Sequence, residues 1–384
     1  LKQLQEIVVS IVEAKPLNIE SFSNLAKQVI DGKVIDAPQA LELLATADDQ
    51  LLELLAAAFD IRSHYYGKQV KLNYLVNAKS GLCPEDCSYC SQAKGATSEI
   101  QKYSLMTSQQ MVERAEKAVA NGASTCCLVI SGRGPNKREV QAVSDATKEI
   151  KNRWPNLKVC ACLGILNQEQ ATKLKESGVD RYNHNLNTAE DHYKEICSTH
   201  TYNDRKQTVQ HAIDSGISPC SGLIVGMQET PQQLIETLFA LRDIKADSIP
   251  INFLVPIEGT GLANIAHPLS PQYCLKVLCV ARFICPTVEI RCSAGREKHL
   301  RTLQPLSLYP ANSWFISDYL TTPGQEEELD HQMICDAGFE IERIDGAADA
   351  CITDSSCSTP TSCSSGGCQS TAKQSTAKQS TATN

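Results

Sequence analysis

Two periodicities divide this chain. Over residues 1–65 apolar positions recur at helical spacing: Leu1, Leu4, Ile7, Val8 and Ile11, then a Leu- and Ala-rich run from Ala40 to Phe59. Asp48, Asp49 and Gln50 precede that run as a helix start would require. This part reads as an N-terminal helical cap with no chemistry in it. From about residue 70 short β-branched runs alternate with amphipathic stretches. The pattern predicts strands at 72–78, 124–131, 157–163, 180–186, 217–225, 248–255, 287–293 and 312–317. It predicts helices near 107–121, 137–152, 167–177, 203–215, 231–244, 270–284, 296–304 and 325–337. Strand–helix pairs in this alternation predict an α/β fold, a TIM-type (β/α)8 barrel over residues 66–345; an open parallel sheet is the other arrangement of the same pattern. Residues 346–384 are rich in Ser, Thr and Cys and end in Gln369-Ser370-Thr371-Ala372-Lys373 and a near-copy from Gln374. With nothing to bury, a disordered C-terminal tail is expected there.

Charge and composition narrow the field. The 384 residues carry a net charge of −8 with both signs scattered, so no basic footprint for nucleic acid is visible. The longest apolar runs are too short to span a bilayer. Residues 1–20 mix acids and bases with no Arg-rich, acid-free face, so no signal or transit peptide is read there. The chain starts at Leu1 rather than Met, as one with an upstream piece removed would. Its 18 cysteines are spread along the chain, not packed into a short secreted framework. That favours reduced thiols, metal work and a cytoplasmic setting. Gly132-Arg133-Gly134 is too weak to indicate a dinucleotide fold.

The chemistry centres on Cys83, Cys87 and Cys90, spaced C-x3-C-x2-C within Gly81-Leu82-Cys83-Pro84-Glu85-Asp86-Cys87-Ser88-Tyr89-Cys90. Three thiolates are one short of a closed zinc site or a fully ligated cubane. They could hold three irons of a 4Fe–4S cluster and leave the fourth open to a small molecule. A zinc site with a distant fourth ligand, or three unrelated thiols, are the plainer readings. In the predicted barrel the motif follows strand 1, on the C-terminal face where barrel enzymes keep their chemistry. Side chains alternate along strands, so Cys126 and Cys127 point opposite ways, while Cys160 and Cys162 share a face. Cys220, Gly222 and Ile224 share one, as do Glu289, Arg291 and Ser293, with Cys292 on the other. Each thiol alone is most simply a buried apolar residue; thiols on several strands converging inside a barrel would make a second iron–sulfur site. Strand 4 places Arg181, Asn183, Asn185 and Asn187 on one side and His184, a packing histidine, on the other. Such an amide row is either a hydrogen-bonded polar layer or a site for a ring that both donates and accepts, such as a urea.

The cysteine motif, with Tyr89 before its third thiol and the continuation Lys79 to Gln92, resembles the biotin synthase family of radical S-adenosylmethionine enzymes. Matches continue in order to about residue 345. The resemblance implies a radical S-adenosylmethionine barrel with a 4Fe–4S cluster on Cys83, Cys87 and Cys90. By the same likeness Cys127, Cys160, Cys220 and Arg291 hold a second cluster, 2Fe–2S in the family. Arginine is normally protonated and a poor metal ligand, so Arg291 enters on the likeness alone; Cys162 is a spare thiol beside Cys160. Tyr182-Asn183-His184-Asn185-Leu186 matches the family's substrate motif, which makes Asn185 a contact to the ureido group of dethiobiotin with Asn183 and Asn187 beside it. Many members carry aspartate where this chain has Asn187. For S-adenosylmethionine the resemblance implies Arg205 at the carboxylate, Asn252 with Gly259-Thr260 in the adenosine region, Tyr89 near the adenine, and room left at Gly222 and Gly226. The implied activity is radical-mediated insertion of sulfur into dethiobiotin, with sulfide from the second cluster. A reducing protein such as a flavodoxin or ferredoxin and a homodimer are the implied partners. Two other readings remain: a different radical S-adenosylmethionine barrel for cofactor assembly or methylation, and a non-catalytic iron–sulfur or zinc carrier. The latter is prompted by Cys351, Cys357, Cys363 and Cys368 in the tail. On a mobile segment those thiols could alternatively serve iron or sulfide to the second cluster.

Overall fold

The computed structural model describes residues 19–265 and 269–344. The apolar positions expected at residues 1–11 and the tail with Cys351, Cys357, Cys363 and Cys368 lie outside the described residues.

Among the described residues ten strands follow one another: β1 Gln69–Lys79, β2 Thr125–Ile130, β3 Lys158–Cys162, β4 Arg181–Asn183, β5 Ser218–Cys220, β6 Leu223–Val225, β7 Ser248–Phe253, β8 Glu289–Cys292, β9 Ser313–Ile316 and β10 Glu340–Ile341. All pairings between them are parallel, in the order β1-β2-β3-β4-β5-β7-β8-β9, and β9 returns to β1 from Lys71↔Ser313 to Tyr74↔Ile316. The sheet is a closed (β/α)8 barrel, not an open sheet. Eight positions arise from ten strands for two reasons. β5 and β6 are one barrel position interrupted at Ser221-Gly222, and β10 only extends β1, pairing Gln69↔Glu340. Gly222 is required at the interruption, because a Cβ there would collide with the Pro250 carbonyl.

Alternation decides the faces. In β1, Val70, Leu72, Tyr74, Val76 and Ala78 pack outward under the helices, and Leu75 packs inward with Cys127, Val129 and Cys160. In β2, Cys126 joins the outer core and Cys127 the inner group, as parity requires. The helices between strands begin where their sequences say. Thr107, Asn136, Asn167, Thr201 and Thr230 each cap a helix start and accept from the backbone three residues on. Gln110, Glu139, Gln170, Asp204 and Gln233 return the bond, and each such cap contributes about 1 kcal/mol.

Helices Ile19–Ile30, Ala37–Leu44 and Leu51–Tyr66 form the N-terminal cap. Leu51–Tyr66 packs on helix Pro271–Ile284, whose residues from Cys274 to Ile284 are all buried. Buried Arg62 donates to the carbonyls of Ala311, Gly67 and Gln69, which fixes the entry to β1. The expected helix at 296–304 is a short helix Arg296–Leu300 followed by a 3-10 stretch Arg301–Leu308. Arg301 turns left-handed at φ 52° and Pro305 lacks an N–H, so α-helical bonding cannot run through. Among the described residues no helix is long and apolar enough to cross a membrane.

Candidate active site

The first thiol group sits on the loop that leaves β1. Gly81 and Leu82 are both left-handed, at φ 76° and 57°, which swings the chain back over the barrel mouth. Gln92 Oε1 accepts from Gly81 N (2.7 Å) and Ser80 Oγ (3.3 Å), tying the two ends of the loop together. Turns at Cys90 N→Cys87 O (3.0 Å) and Ala93 N→Cys90 O (3.1 Å) fold the loop that carries the three thiols. Burial pushes the Cys83 and Cys90 thiols up; Cys87 rises through its contact with Cys197 and then through burial. Without a metal these thiols therefore stay protonated, and a bound metal would favour their thiolate forms. A trio of soft donors with no fourth in the motif fits a 4Fe–4S cluster with one open iron.

Two neighbours of this loop carry no signal in the sequence. Cys197 Sγ lies 3.7 Å from Cys87 Sγ and, with His200, forms a group whose donor atoms are all within 4.8 Å of one another. Glu85 and Asp86, inside the motif, anchor residues 198–200: Glu85 accepts from Thr199 (2.7 Å), His200 and Arg133, and Asp86 accepts from the Ser198 backbone (3.0 Å). The 110-residue separation of Cys87 and Cys197 hides this from any local pattern.

Arg205 leaves the first turns of helix Tyr202–Asp214 and is buried. It donates to Tyr193 Oη, to the Asn185 carbonyl (2.8 Å) and to Tyr89 Oη (3.5 Å), and its Nη2 lies 3.0 Å from His200 Nε2. Tyr89 Oη also accepts from Asn187 Nδ2 at 2.7 Å. The amide row is not continuous. β4 ends at Asn183, and Asn187 sits left-handed at φ 72°, so its side chain turns to Tyr89 and leaves the other two. Asn183 Nδ2 donates to Asn185 Oδ1 (3.0 Å), which also accepts from Gly222 N (3.0 Å). Asn252 bridges strands, donating to the Leu223 carbonyl (3.1 Å) and accepting from Ala294 N (3.3 Å). His184 is buried, and burial holds its imidazole well below the ordinary range, as suits packing.

The second thiol group lies deeper. Register sets Cys127 opposite Cys160, Asn183 opposite Cys220, and Pro250 opposite Arg291. The Cys160 thiol contacts those of Cys127 and Cys220, and contact with Cys127 and burial raise it. Cys220 rises likewise, through Cys160 and burial. Arg291 Nη1 points to Cys220 Sγ at 4.0 Å, and its guanidinium stacks 5.0 Å from the centre of the Phe315 ring. Its other nitrogens are held: Nε by Ser313 Oγ (3.2 Å), Nη2 by Ser248 Oγ (3.0 Å) and Glu289 Oε1 (2.6 Å). A second set of soft donors inside the barrel fits an iron–sulfur cluster.

One cavity joins the two groups. Tyr89 and Cys90 of the loop after β1 line it, as do Cys127, Cys160, Cys162 and Arg291 of the strands, together with Asn183 and Asn185. Asn252 lies on its wall, while Cys83, Cys87, Cys220, Asn187, Arg205 and Gly222 are set back from it.

Comparison with known proteins places this arrangement. Residues 79–241 match the radical SAM superfamily, and residues 250–340 match the Biotin and Thiamin Synthesis associated domain. The chain is 54% identical over 322 residues to a biotin synthase of Lysinibacillus sphaericus, covering 84% of this chain and 97% of that protein. The chain belongs to the biotin synthase family. A further member, from Kocuria rhizophila, is 55% identical over 319 residues, 83% of this chain and 68% of that protein. Among solved structures, methylornithine synthase (PylB) superposes with a TM-score of 0.71 at 19% identity, over 83% of this chain and 97% of that one. The hydrogenase maturase HydG from Carboxydothermus hydrogenoformans gives 0.72 at 16%, over 89% and 84%. Likeness at such low identity establishes the shared barrel only. Family membership makes the chain a radical S-adenosylmethionine enzyme whose cofactors are S-adenosylmethionine, a 4Fe–4S cluster and a second iron–sulfur cluster.

Proposed function

We propose that this enzyme divides the insertion of sulfur into dethiobiotin between the two thiol groups of one shared cavity. Cys83, Cys87 and Cys90 hold the 4Fe–4S cluster. Cys127, Cys160, Cys220 and Arg291 hold the second, of 2Fe–2S type. When bound, these groups and S-adenosylmethionine supply a hydrogen-abstracting radical at one end of the cavity and sulfide at the other. Asn183 and Asn185 occupy the stretch between and orient the ureido ring of dethiobiotin, because amides can donate and accept at once. The Asn183–Asn185 bond already fixes which way each amide points. Arg205 meets the S-adenosylmethionine carboxylate, for which its planar fork is suited. Tyr89, carried by the cluster loop, sets the adenosine side with Asn252 and Gly222. Tyr89, Arg205 and Asn187 form one bonded unit, so cofactor seating and the cluster loop move together. The closed barrel excludes water and bystander solutes from a radical that would otherwise attack them.

The observation that carries this reading is the cavity that runs from Cys90 and Tyr89 past Asn183 and Asn185 to Cys127, Cys160 and Arg291. A different radical S-adenosylmethionine reaction would not need thiols on β2, β3 and β5. The test is anaerobic incubation with dithionite, S-adenosylmethionine and dethiobiotin, with 5′-deoxyadenosine and biotin assayed together. Both must form; 5′-deoxyadenosine without biotin in a preparation holding both clusters would overturn it. A flavodoxin or ferredoxin serves as electron donor, and the exposed Leu82 beside Cys83 offers such a protein an apolar contact. The working form is a cytoplasmic homodimer. Residues 1–65 act as a cap on the catalytic barrel at 66–345, and 346–384 as an appended tail.

A further inference from the structure

Glu289 is a buried carboxylate that neither thiol group uses, yet five side chains converge on it. Its Oε1 accepts from Arg291 Nη2 (2.6 Å), Ser248 Oγ (3.1 Å) and Ser313 Oγ (3.1 Å). Its Oε2 takes Arg181 Nη1 (2.8 Å) and stands 3.6 Å from Lys71 Nζ. Ser248 and Ser313 in turn accept from Arg291, so the two hydroxyls and the carboxylate form one cradle. Asn73 Nδ2 completes it by donating to Ser313 Oγ at 2.7 Å. All of Arg291's bonds to this cradle use Nε and Nη2. Nη1 is the nitrogen left over, and it points to Cys220.

We propose that Glu289 is the positioning residue of the second cluster: it fixes the Arg291 guanidinium by one edge so that Nη1 faces the Cys127–Cys160–Cys220 thiols. This rests on Arg291 serving that cluster. A guanidinium presents two different donor edges on a flexible stem. Without a charged acceptor on the Nε–Nη2 edge, the head could rotate on that stem and turn Nη1 away from Cys220. The carboxylate alone accepts from three donors at one oxygen, whereas the two serines must each spend their proton on it. Outer contacts of this kind commonly change metal retention by about 10–100-fold.

The test follows loss of the second cluster from anaerobically reconstituted full-length protein under a ferrous chelator, by visible absorbance. The 4Fe–4S cluster is tracked in the same sample by electron paramagnetic resonance after reduction. Arg181→Met alone keeps the Glu289–Arg291 contact and should match wild type. The double change Glu289→Leu with Arg181→Met removes opposite charges together, so the interior stays balanced while Arg291 loses its carboxylate. Second-cluster loss should be about tenfold faster there, with Glu289→Gln, which keeps an acceptor, in between and the 4Fe–4S signal unchanged. Equal lifetimes in wild type and a folded double variant would overturn the proposal, as would parallel loss of both clusters. Arg291→Ala separates the two layers of inference: if it too leaves the second cluster untouched, the assignment of Arg291 fails; if it alone accelerates loss, only the role of Glu289 does.

Discussion

Arg205→Lys is the sharpest probe of how the barrel seats S-adenosylmethionine. The change keeps the positive charge and most of the stem, so it isolates geometry. Arg205 spreads its N–H groups over Tyr193, the Asn185 carbonyl, Tyr89 and His200, and its guanidinium sits 5.5 Å from the centre of the Tyr193 ring. A lysine ammonium is a point donor without the planar fork and can satisfy one or two of these. Each hydrogen bond to a charged group is worth about 1.5–3 kcal/mol. Losing two of them, with partial recovery by water, leaves a deficit of about 2–4 kcal/mol, or roughly 30- to 700-fold in affinity. The released carbonyl belongs to Asn185, the proposed ureido contact, so dethiobiotin binding should weaken as well, by a smaller factor. The assay is 5′-deoxyadenosine formation against S-adenosylmethionine concentration at saturating dethiobiotin, repeated with the two exchanged, on protein of matched iron content. An S-adenosylmethionine KM at least about 30-fold above wild type is expected. A KM within threefold of wild type at unchanged iron content would refute both the role of Arg205 and its coupling to Tyr89.

On the proposed assignment Cys87→Ala removes a thiolate of the radical cluster; although Cys197 lies near, its sulfur adjoins the vacated position and does not occupy it, so 5′-deoxyadenosine formation should be abolished, and its survival would overturn the assignment of Cys87. Cys127→Ala and Cys220→Ala should each abolish biotin while some S-adenosylmethionine cleavage persists; normal biotin yield from either would reduce the barrel thiols to packing. Asn187→Asp should fold normally, since aspartate tolerates a left-handed backbone and Tyr89 can turn from acceptor to donor. Biotin formation should stay within about threefold of wild type, and a larger fall measured in the same assay would show that the Asn187 N–H itself is needed.

Much of the fold was legible because its rules are local. Apolar periodicity marks the helices between strands, and strand alternation separates Cys126 from Cys127 before any tertiary contact is known. The C-x3-C-x2-C loop was equally plain as a spacing, since its three thiols lie within eight residues of one another. Two things were not local. Parity carried the amide row one step too far: it assumes an extended backbone, and the chain leaves the sheet after Asn183 and turns left-handed at Asn187. Closure was the other. Periodicity is identical for a barrel and an open sheet, and only the pairing of β1 with β9 tells them apart. Strand order and register bring Cys160 against Cys127, and closure is also what sets Glu289 of β8 against Arg181 of β4. The sequence by itself determined which strands and helices form and which residues could bind metal. Which donors meet in one cavity was decided by the tertiary structure alone, because a shared interior depends on strand order and register around a closed ring, and neither leaves a trace in nearest-neighbour spacing.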